Sequence, residues 1–192
     1  MRVAARSRLL GLAPIFLTDH DSIEGALRLQ QLGFDRVVVG EEVMTSEGEL
    51  IGLFLAEPIR VGLAPVEAAR EIKRQGGLVY LEHPYDASRR HLSTVGVEAI
   101  ADLIDIIEVF NGRSNEKANN RAEDLRSALG AAPGAGSDAH SLSELGSVFV
   151  EMDDFDGAED FLIKLRRSKI VKRRHKLVLA AEALIRQTIR PR

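Results

Sequence analysis

Short apolar runs of strand length alternate with amphipathic runs of helix length along most of the chain. The predicted strands cover residues 14–17, 36–39, 50–55, 78–81, 105–110, 131–136 and 148–150, and the predicted helices cover residues 22–32, 65–75, 97–103, 114–129, 156–167 and 176–189. Continuously apolar strands are typical of a sheet that is covered on both faces. Because strand–helix alternation indicates parallel strands joined by crossover helices, the pattern predicts an α/β fold, either a barrel or an open sheet.

Composition limits the class of protein. A chain of 192 residues that is 45% hydrophobic suffices for one domain with a full core. The absence of cysteine excludes disulfides, iron–sulfur clusters and cysteine nucleophiles, and it favours a reducing compartment. No apolar run approaches the roughly 20 residues that span a bilayer, and the N-terminus lacks the apolar core of a secretory signal. We therefore expect a cytoplasmic protein with no membrane contact.

Charge is distributed unevenly along the chain. Residues 164–192 carry a net charge of +10, whereas residues 1–163 carry −13. An acidic body is compatible with binding of metal cations. The basic C-terminal segment could contact nucleic acid, but such a run more often forms a solvated helix, so a nucleic-acid partner is possible without being favoured.

Histidine and acidic side chains recur directly after the predicted strands. They include His20, Glu42, His83, Asp138 and His140. The carboxyl ends of parallel strands share one rim of the fold, where active sites are built. Any one of these residues is more often a cap or turn residue, but their recurrence at several strand ends favours a metal site. Imidazole and carboxylate ligands without thiolates suit Zn, Mn or Fe, and ligands from several strands permit a multinuclear centre.

Polar residues near the same strand ends are candidates for substrate binding. They are Arg89, Arg90, Asn111 and Arg113. A guanidinium group can hold a phosphate through two parallel hydrogen bonds. Simple solvation is an equally good interpretation of loop arginines, so both alternatives stay open.

One stretch directly after the first predicted strand, residues 18–25, reads Thr-Asp-His-Asp-Ser-Ile-Glu-Gly. This stretch resembles the second motif of the PHP (polymerase and histidinol phosphatase) superfamily. Further similar segments follow in the family's order: Gly40-Glu41-Glu42-Val43, Gly48-Glu49 at a common Gly-His position, Glu82-His83-Pro84, the Asp-x-x-Glu-x-x-Asn stretch at 105–111, and Asp138-Ala139-His140. The resemblance covers about residues 10–170.

The resemblance implies a fold, a reaction and a ligand set. The fold would be a distorted (β/α)7 TIM-like barrel with two or three divalent metals at its carboxyl rim. The implied ligands are His20 and His140 on one metal, Glu42 as a bridge, His83 and Glu49 on a second metal, and Asp138 supporting the metal that Glu42 shares. His83, His140 and Arg89 would assist charge and proton movement during hydrolysis of a phosphoester.

The resemblance departs from the family at the N-terminus. The family begins with a strand that carries His-x-His, but residues 1–12 contain neither His nor Asp and resemble the end of the first family helix. We therefore expect a barrel without its first strand and part of its first helix, in an N-terminally incomplete domain of residues 1–170. A basic helix is expected over residues 171–192. The open parallel edge could pair with a second copy of the chain.

Two functions follow from these expectations. The first is metal-dependent hydrolysis of small phosphomonoesters, nucleotides or nucleoside bisphosphates by a metal-activated water. The alternative is a non-catalytic metal- or phosphate-binding scaffold, or a dimerising one, that has lost the first metal-ligand strand.

Overall fold

A computed structural model describes residues 2–34 and 36–173. Its elements in chain order are α1 (Arg2–Leu10), β1 (Ile15–His20), α2 (Glu24–Gln31), β2 (Val37–Thr45), β3 (Gly48–Leu53), α3 (Pro65–Arg74), β4 (Leu78–Leu81), α4 (Thr94–Ala99), a 3-10 turn (Ala101–Leu103), β5 (Ile106–Asn111), α5 (Glu116–Leu129), β6 (Ala132–Gly136), β7 (Val148–Glu151), α6 (Gly157–Leu165) and β8 (Lys169–Lys172). In the described part of the chain, no helix is long and apolar enough to span a membrane.

Six strands form one curled sheet in the order β1-β2-β3-β4-β5-β6. The pairs β1–β2, β4–β5 and β5–β6 are parallel, as the strand–helix alternation predicts. Strand β3 is antiparallel to both of its neighbours, and the prediction of parallel strands is wrong there. The reason is the short turn Ser46-Glu47 between β2 and β3, which is a hairpin connection and leaves no room for a crossover helix.

Strand β2 is longer than its apolar run. The predicted strand ends at Val39, but the hydrogen-bonded strand continues to Thr45, so Glu41 and Glu42 lie inside β2. Successive side chains in a strand point to opposite faces of the sheet. Glu41 is fully buried and accepts a hydrogen bond of 2.8 Å from the Ile59 N–H, whereas Glu42 faces the histidines of the site.

Helices cover the outer face of the sheet and a cluster of aromatic rings fills its other side. Helix α3 begins at Pro65 and buries Ala68, Ala69 and Ile72. Helix α5 is capped by the Asn115 side chain and ends at Gly130, which has a positive φ of 66°. The aromatic cluster consists of Phe16, Phe54, Phe155 and Phe161.

The C-terminal part adds an antiparallel pair of strands, β7 and β8, which are connected through α6. Strand β8 was not predicted, because Lys169 and Lys172 flank only two apolar residues. Of the basic helix predicted over 171–192, Val171 and Lys172 belong to β8, and residues 174–192 lie outside the described part of the chain. Residues 1–12 were predicted to be the last part of a helix. The structure confirms a helix there, since α1 spans Arg2–Leu10 and ends before Gly11.

Six of the eight described strands form an open sheet with β1 and β6 at its edges. Residues of β1, β6 and β7 line a cavity of about 710 Å³ that also reaches the predicted site residues. The chain is therefore a mixed α/β protein with a curled half-barrel, and its interpretation as a distorted (β/α)7 barrel that lacks the first strand stays a prediction.

Candidate metal centre

The strand register brings the predicted metal ligands together. His20 is the last residue of β1 and lies opposite Glu42 in the parallel β1–β2 pair. Met44 lies opposite Glu49 in the antiparallel β2–β3 hairpin, which brings Glu49 back along β2 toward Glu42. His83 follows β4 after one intervening residue, Glu82, and Asp138 and His140 follow β6.

Two groups of side chains have ligand atoms close enough to hold a cation. His20, Glu42 and Glu49 form the first group, and Glu42, Glu82 and His83 form the second, with all ligand atoms in each group within 4.8 Å of one another. The His20 Nδ1 atom lies 3.8 Å from Glu42 Oε1 and 3.7 Å from Glu49 Oε1. The His83 Nε2 atom lies 3.7 Å from the same Glu42 Oε1. Glu42 is therefore common to both groups, as expected of a bridging ligand.

The site holds Glu42 as a carboxylate. Burial opposes its ionisation, but the adjacent His83 and His20 side chains outweigh burial and lower the pKa of Glu42. The pKa of Glu49 is raised by burial and by the negative charge of Glu42. Glu49 lies beside His20, whereas the resemblance pairs it with His83 on the second metal.

The backbone of His83 is hydrogen-bonded to a buried acid, Glu108, which the sequence motifs did not assign to the site. His83 has a positive φ of 28°, and its N–H donates a 2.9 Å hydrogen bond to Glu108 Oε2. Asn111 Nδ2 donates a second hydrogen bond of 2.9 Å to the same oxygen. Burial raises the pKa of Glu108 to about 7, although these hydrogen bonds favour its ionised form. Glu108 therefore fixes the conformation from which the imidazole of His83 reaches Glu42.

Asp138 and His140 line the same cavity without belonging to either group of close ligand atoms. Asp138 Oδ2 lies 2.9 Å from Arg89 Nη2, and Asp138 Oδ1 lies 3.3 Å from His140 Nδ1. The rings of His140 and His20 are 6.5 Å apart, and both side chains are about half exposed. His20, Glu42, His83, Asp138 and His140 thus surround one cavity, and their individual roles stay predictions.

The four candidate substrate-binding residues lie in different environments. Arg89 is largely buried in its ion pair with Asp138, whereas Arg90 and Arg113 are exposed. Asn111 is buried, and its side-chain oxygen accepts hydrogen bonds from the N–H groups of Arg113 and Ser114. The described contacts of Asn111 therefore hold the loop after β5, and its contact with substrate stays a prediction.

Sequence reasoning missed Glu82 as a member of the site. Its side chain is buried, and burial raises its pKa well above the usual range, with a further contribution from the charge of Glu42. The available signal was an acidic residue at the end of an apolar strand, directly before His83. The burial of this carboxylate close to Glu42 and His83 depends on tertiary packing, which no residue type announces.

The donor atoms of both groups fit a divalent cation. They are imidazole nitrogens and carboxylate oxygens without a thiolate, which suits Mn, Zn or Fe. Both carboxylate oxygens of Glu82 are buried and lack a hydrogen bond from another described residue, as expected where a cation supplies the missing partner.

We expect Asp86→Asn to destabilise the loops beside the site in a pH-dependent manner. Asp86 accepts hydrogen bonds of 2.6 Å from Ser88 Oγ and 2.7 Å from Ser114 Oγ. Burial opposes its ionisation, but these hydrogen bonds lower its pKa from 3.8 to about 2. Because the pKa is lower in the folded state, ionised Asp86 stabilises the fold above about pH 4, and this contribution is lost as the pH falls toward 2.

The free energy of unfolding in urea measures this effect. At pH 7 the variant should lose about 1–2 kcal/mol relative to wild type, and the difference should shrink below about pH 4. Replacement of the exposed Asp124 on α5 by Asn is the control and should change stability by less than about 0.5 kcal/mol. A difference that stays constant down to about pH 2 would contradict the assignment.

Sequence comparisons connect the chain with archaeal relatives. A family model described as PHP-associated matches residues 116–170. The uncharacterized protein MJ1587 of Methanocaldococcus jannaschii is 43% identical over 105 residues, which cover 53% of this chain and 59% of that protein. The uncharacterized protein MJ0417 of the same organism is 30% identical over 165 residues, which cover 79% of this chain and 69% of the relative.

Solved structures share the fold at low sequence identity. PsfC from Pseudomonas syringae has a TM-score of 0.67 at 12% identity, covering 98% of this chain and 89% of that one. A lesion-specific endonuclease from Pyrococcus furiosus, PfuEndoQ, has a TM-score of 0.62 at 16% identity, and the match covers 88% of this chain and 52% of the endonuclease. A protein assigned as a metal-dependent phosphoesterase from Bifidobacterium adolescentis has a TM-score of 0.57 at 15% identity, and the match covers 72% of this chain and 81% of that protein.

The ordered motifs, the matched C-terminal segment and the shared half-barrel agree with one another. The chain belongs to the PHP superfamily.

Proposed function

We propose that this chain hydrolyses phosphoesters with the help of divalent cations bound at Glu42 and its neighbouring histidines. One observation carries the proposal: a single carboxylate oxygen of Glu42 lies 3.7–3.8 Å from imidazoles that belong to two different strand ends, His20 and His83. Bound divalent cations lower the pKa of a water ligand to near neutrality and neutralise the charge on phosphoryl oxygens. General metal-dependent phosphoester hydrolysis is also the activity named for structural neighbours of this chain.

The surrounding residues have distinct tasks in this proposal. Glu42 stays ionised and offers both groups a negative ligand. Glu108 orients His83 through the backbone hydrogen bond, so that the imidazole faces Glu42. His140 is half exposed at the same cavity, where it can exchange a proton with a substrate oxygen. Arg89 stands beside Asp138 and offers positive charge to a phosphate.

The two groups of ligands support two cation sites. Their nitrogen and oxygen donors favour Mn²⁺, Zn²⁺ or Fe²⁺. The placement of His140 on the metal of His20, and of Asp138 beside the metal that Glu42 shares, stays a prediction from the family resemblance, as does a third metal. The cytoplasm remains the expected location, since the chain contains no cysteine that would indicate an oxidising compartment.

Cavity size favours a small substrate. The cavity of about 710 Å³ beside the ligands falls within the roughly 300–1,000 Å³ of small-molecule sites. The exposed Arg90 offers positive charge that acts on Glu49, and Arg113 is an exposed candidate in the loop after β5. We therefore favour small phosphomonoesters, nucleotides or nucleoside bisphosphates. The structural likeness to endonuclease Q, which has been captured with an abasic duplex, makes a nucleic-acid phosphodiester the second substrate class to test.

A panel of phosphoesters tests the activity. Metal-depleted protein is supplied with Mn²⁺ or Zn²⁺ and assayed on nucleotides, nucleoside bisphosphates, a nitrophenyl diester and an abasic duplex. We expect metal-dependent turnover that falls about 10²- to 10⁴-fold in His140→Ala, the range for loss of a positioned proton donor. His91→Ala is the matched control, because His91 lies outside the cavity and its Nδ1 contacts the Leu92 carbonyl. Turnover without metal, or equal loss in both variants, would contradict the proposal.

The open sheet supports a second candidate function. Strands β1 and β6 both border the cavity, and an extended segment from a second copy could pair with these edges. In this alternative the chain is a phosphate-binding or dimerising scaffold without turnover. A stable dimer in analytical ultracentrifugation, together with phosphoester binding, fewer than about one metal per chain and no hydrolysis, would favour it over the phosphoesterase.

A further inference from the structure

Glu82 differs from the other buried acids around the site. Its side chain is 2% exposed, and neither carboxylate oxygen has a hydrogen-bond partner in another described residue. Glu108 accepts hydrogen bonds from His83 and Asn111, and Glu41 accepts one from Ile59. A buried carboxylate without hydrogen bonds is strongly disfavoured unless a cation or a proton neutralises it.

The surroundings of Glu82 offer the geometry of a cation site. Its ligand oxygen lies within 4.8 Å of ligand atoms on Glu42 and His83, and all three side chains are at least four-fifths buried. Three donors that surround one ion at about 2.0–2.2 Å lie roughly 3.3–3.8 Å from one another. Shifts of at most about 1 Å would therefore bring the three donors onto one ion.

We propose that Glu82 is a direct ligand of a divalent cation. It completes an inner site with Glu42 and His83, while Glu42 shares its carboxylate with an outer site at His20 and Glu49. The inner donor set of two carboxylates and one imidazole suits Mn²⁺, Fe²⁺ or Zn²⁺. This inference rests on the proposed function, because it specifies how the metals of that site are held.

The number of bound cations tests the inference without an activity assay. Metal-depleted wild type, Glu82→Gln and Glu41→Gln are titrated with Mn²⁺ and followed by calorimetry and by electron paramagnetic resonance. Glutamine matches glutamate in shape, and Glu41 is an equally buried acid on the opposite face of β2. We expect two sites and a spin-coupled pair in wild type and in Glu41→Gln. Glu82→Gln should keep the outer site and lose the coupled signal, with inner affinity reduced by more than the roughly 10- to 100-fold typical of outer-shell changes.

The outcomes separate this inference from the proposed function. Two sites of unchanged affinity in Glu82→Gln would overturn the role of Glu82 and leave the proposed function intact. A single site in wild type would overturn it too, and a wild type that binds no Mn²⁺ would overturn both. If Glu82→Gln does not fold, Glu82→Asp decides: two sites with weakened inner affinity support the inference, and two unchanged sites refute it.

Discussion

Glu42→Gln should reduce kcat/KM for metal-dependent phosphoester hydrolysis by at least about 10³-fold, which corresponds to roughly 4 kcal/mol of transition-state stabilisation. Glu42 is the only residue that both groups of close ligand atoms share among the described residues, so one substitution weakens both cation sites. Glutamine keeps the shape of the side chain but removes the negative charge that His20 and His83 stabilise. Steady-state kinetics at saturating Mn²⁺ measure the effect.

Glu41→Gln is the control for this prediction. Glu41 precedes Glu42 on β2 but points to the opposite face, where it accepts the Ile59 N–H. A glutamine carbonyl can accept the same hydrogen bond, so activity should stay within about twofold of wild type. Similar losses in both variants would show that a buried charge on β2 matters for folding and that Glu42 has no special role in catalysis.

Gly48→Ala should lower the free energy of unfolding by about 3 kcal/mol or more. Gly48 begins β3 with a positive φ of 124°, a conformation that side chains rarely adopt. A Cβ atom there would clash with the carbonyl oxygen of His91 and approach Leu92 Cα to 2.8 Å. This segment is held to β3 by the hydrogen bond from the Glu49 N–H to the Arg90 carbonyl, so the clash would also displace Glu49 from the site.

Gly62→Ala separates backbone strain from close contact. Gly62 has a positive φ of 79°, but a Cβ atom there would meet nothing within 4 Å. In urea unfolding experiments, Gly62→Ala should lower the free energy of unfolding by about 1–2 kcal/mol, which is clearly less than the loss expected for Gly48→Ala. Equal losses in the two variants would contradict the tight packing of residues 91–92 against β3.

Apolar runs located the first seven strands, because strands that are covered on both faces are mostly apolar. The direction of β3 could not be predicted from them, since Ser46-Glu47 lacks the Asn-Gly or Asp-Gly signal of a two-residue hairpin. The extension of β2 was missed for a related reason. Glu41 and Glu42 are polar, so hydrophobicity ends at Val39 while the hydrogen bonding of the sheet continues.

Some residues of the candidate site could be predicted because the order of the motifs along the chain identifies them. His20, Glu42 and His83 were placed by their order along the chain, and the β1–β2 register brings His20 opposite Glu42. The partners of these residues were not predictable to the same degree. Glu108 and Glu82 act through buried contacts over long sequence separations, such as the hydrogen bond from His83 to Glu108.

A manganese anomalous difference map from crystals soaked in MnCl₂ would locate the proposed cations at Glu42 directly. We expect one peak between His20, Glu42 and Glu49 and a second between Glu42, Glu82 and His83, each with donors at about 2.0–2.3 Å, the range for such ligands. A map with no peak at Glu42, in crystals whose soaked manganese occupies other carboxylates, would contradict this expectation.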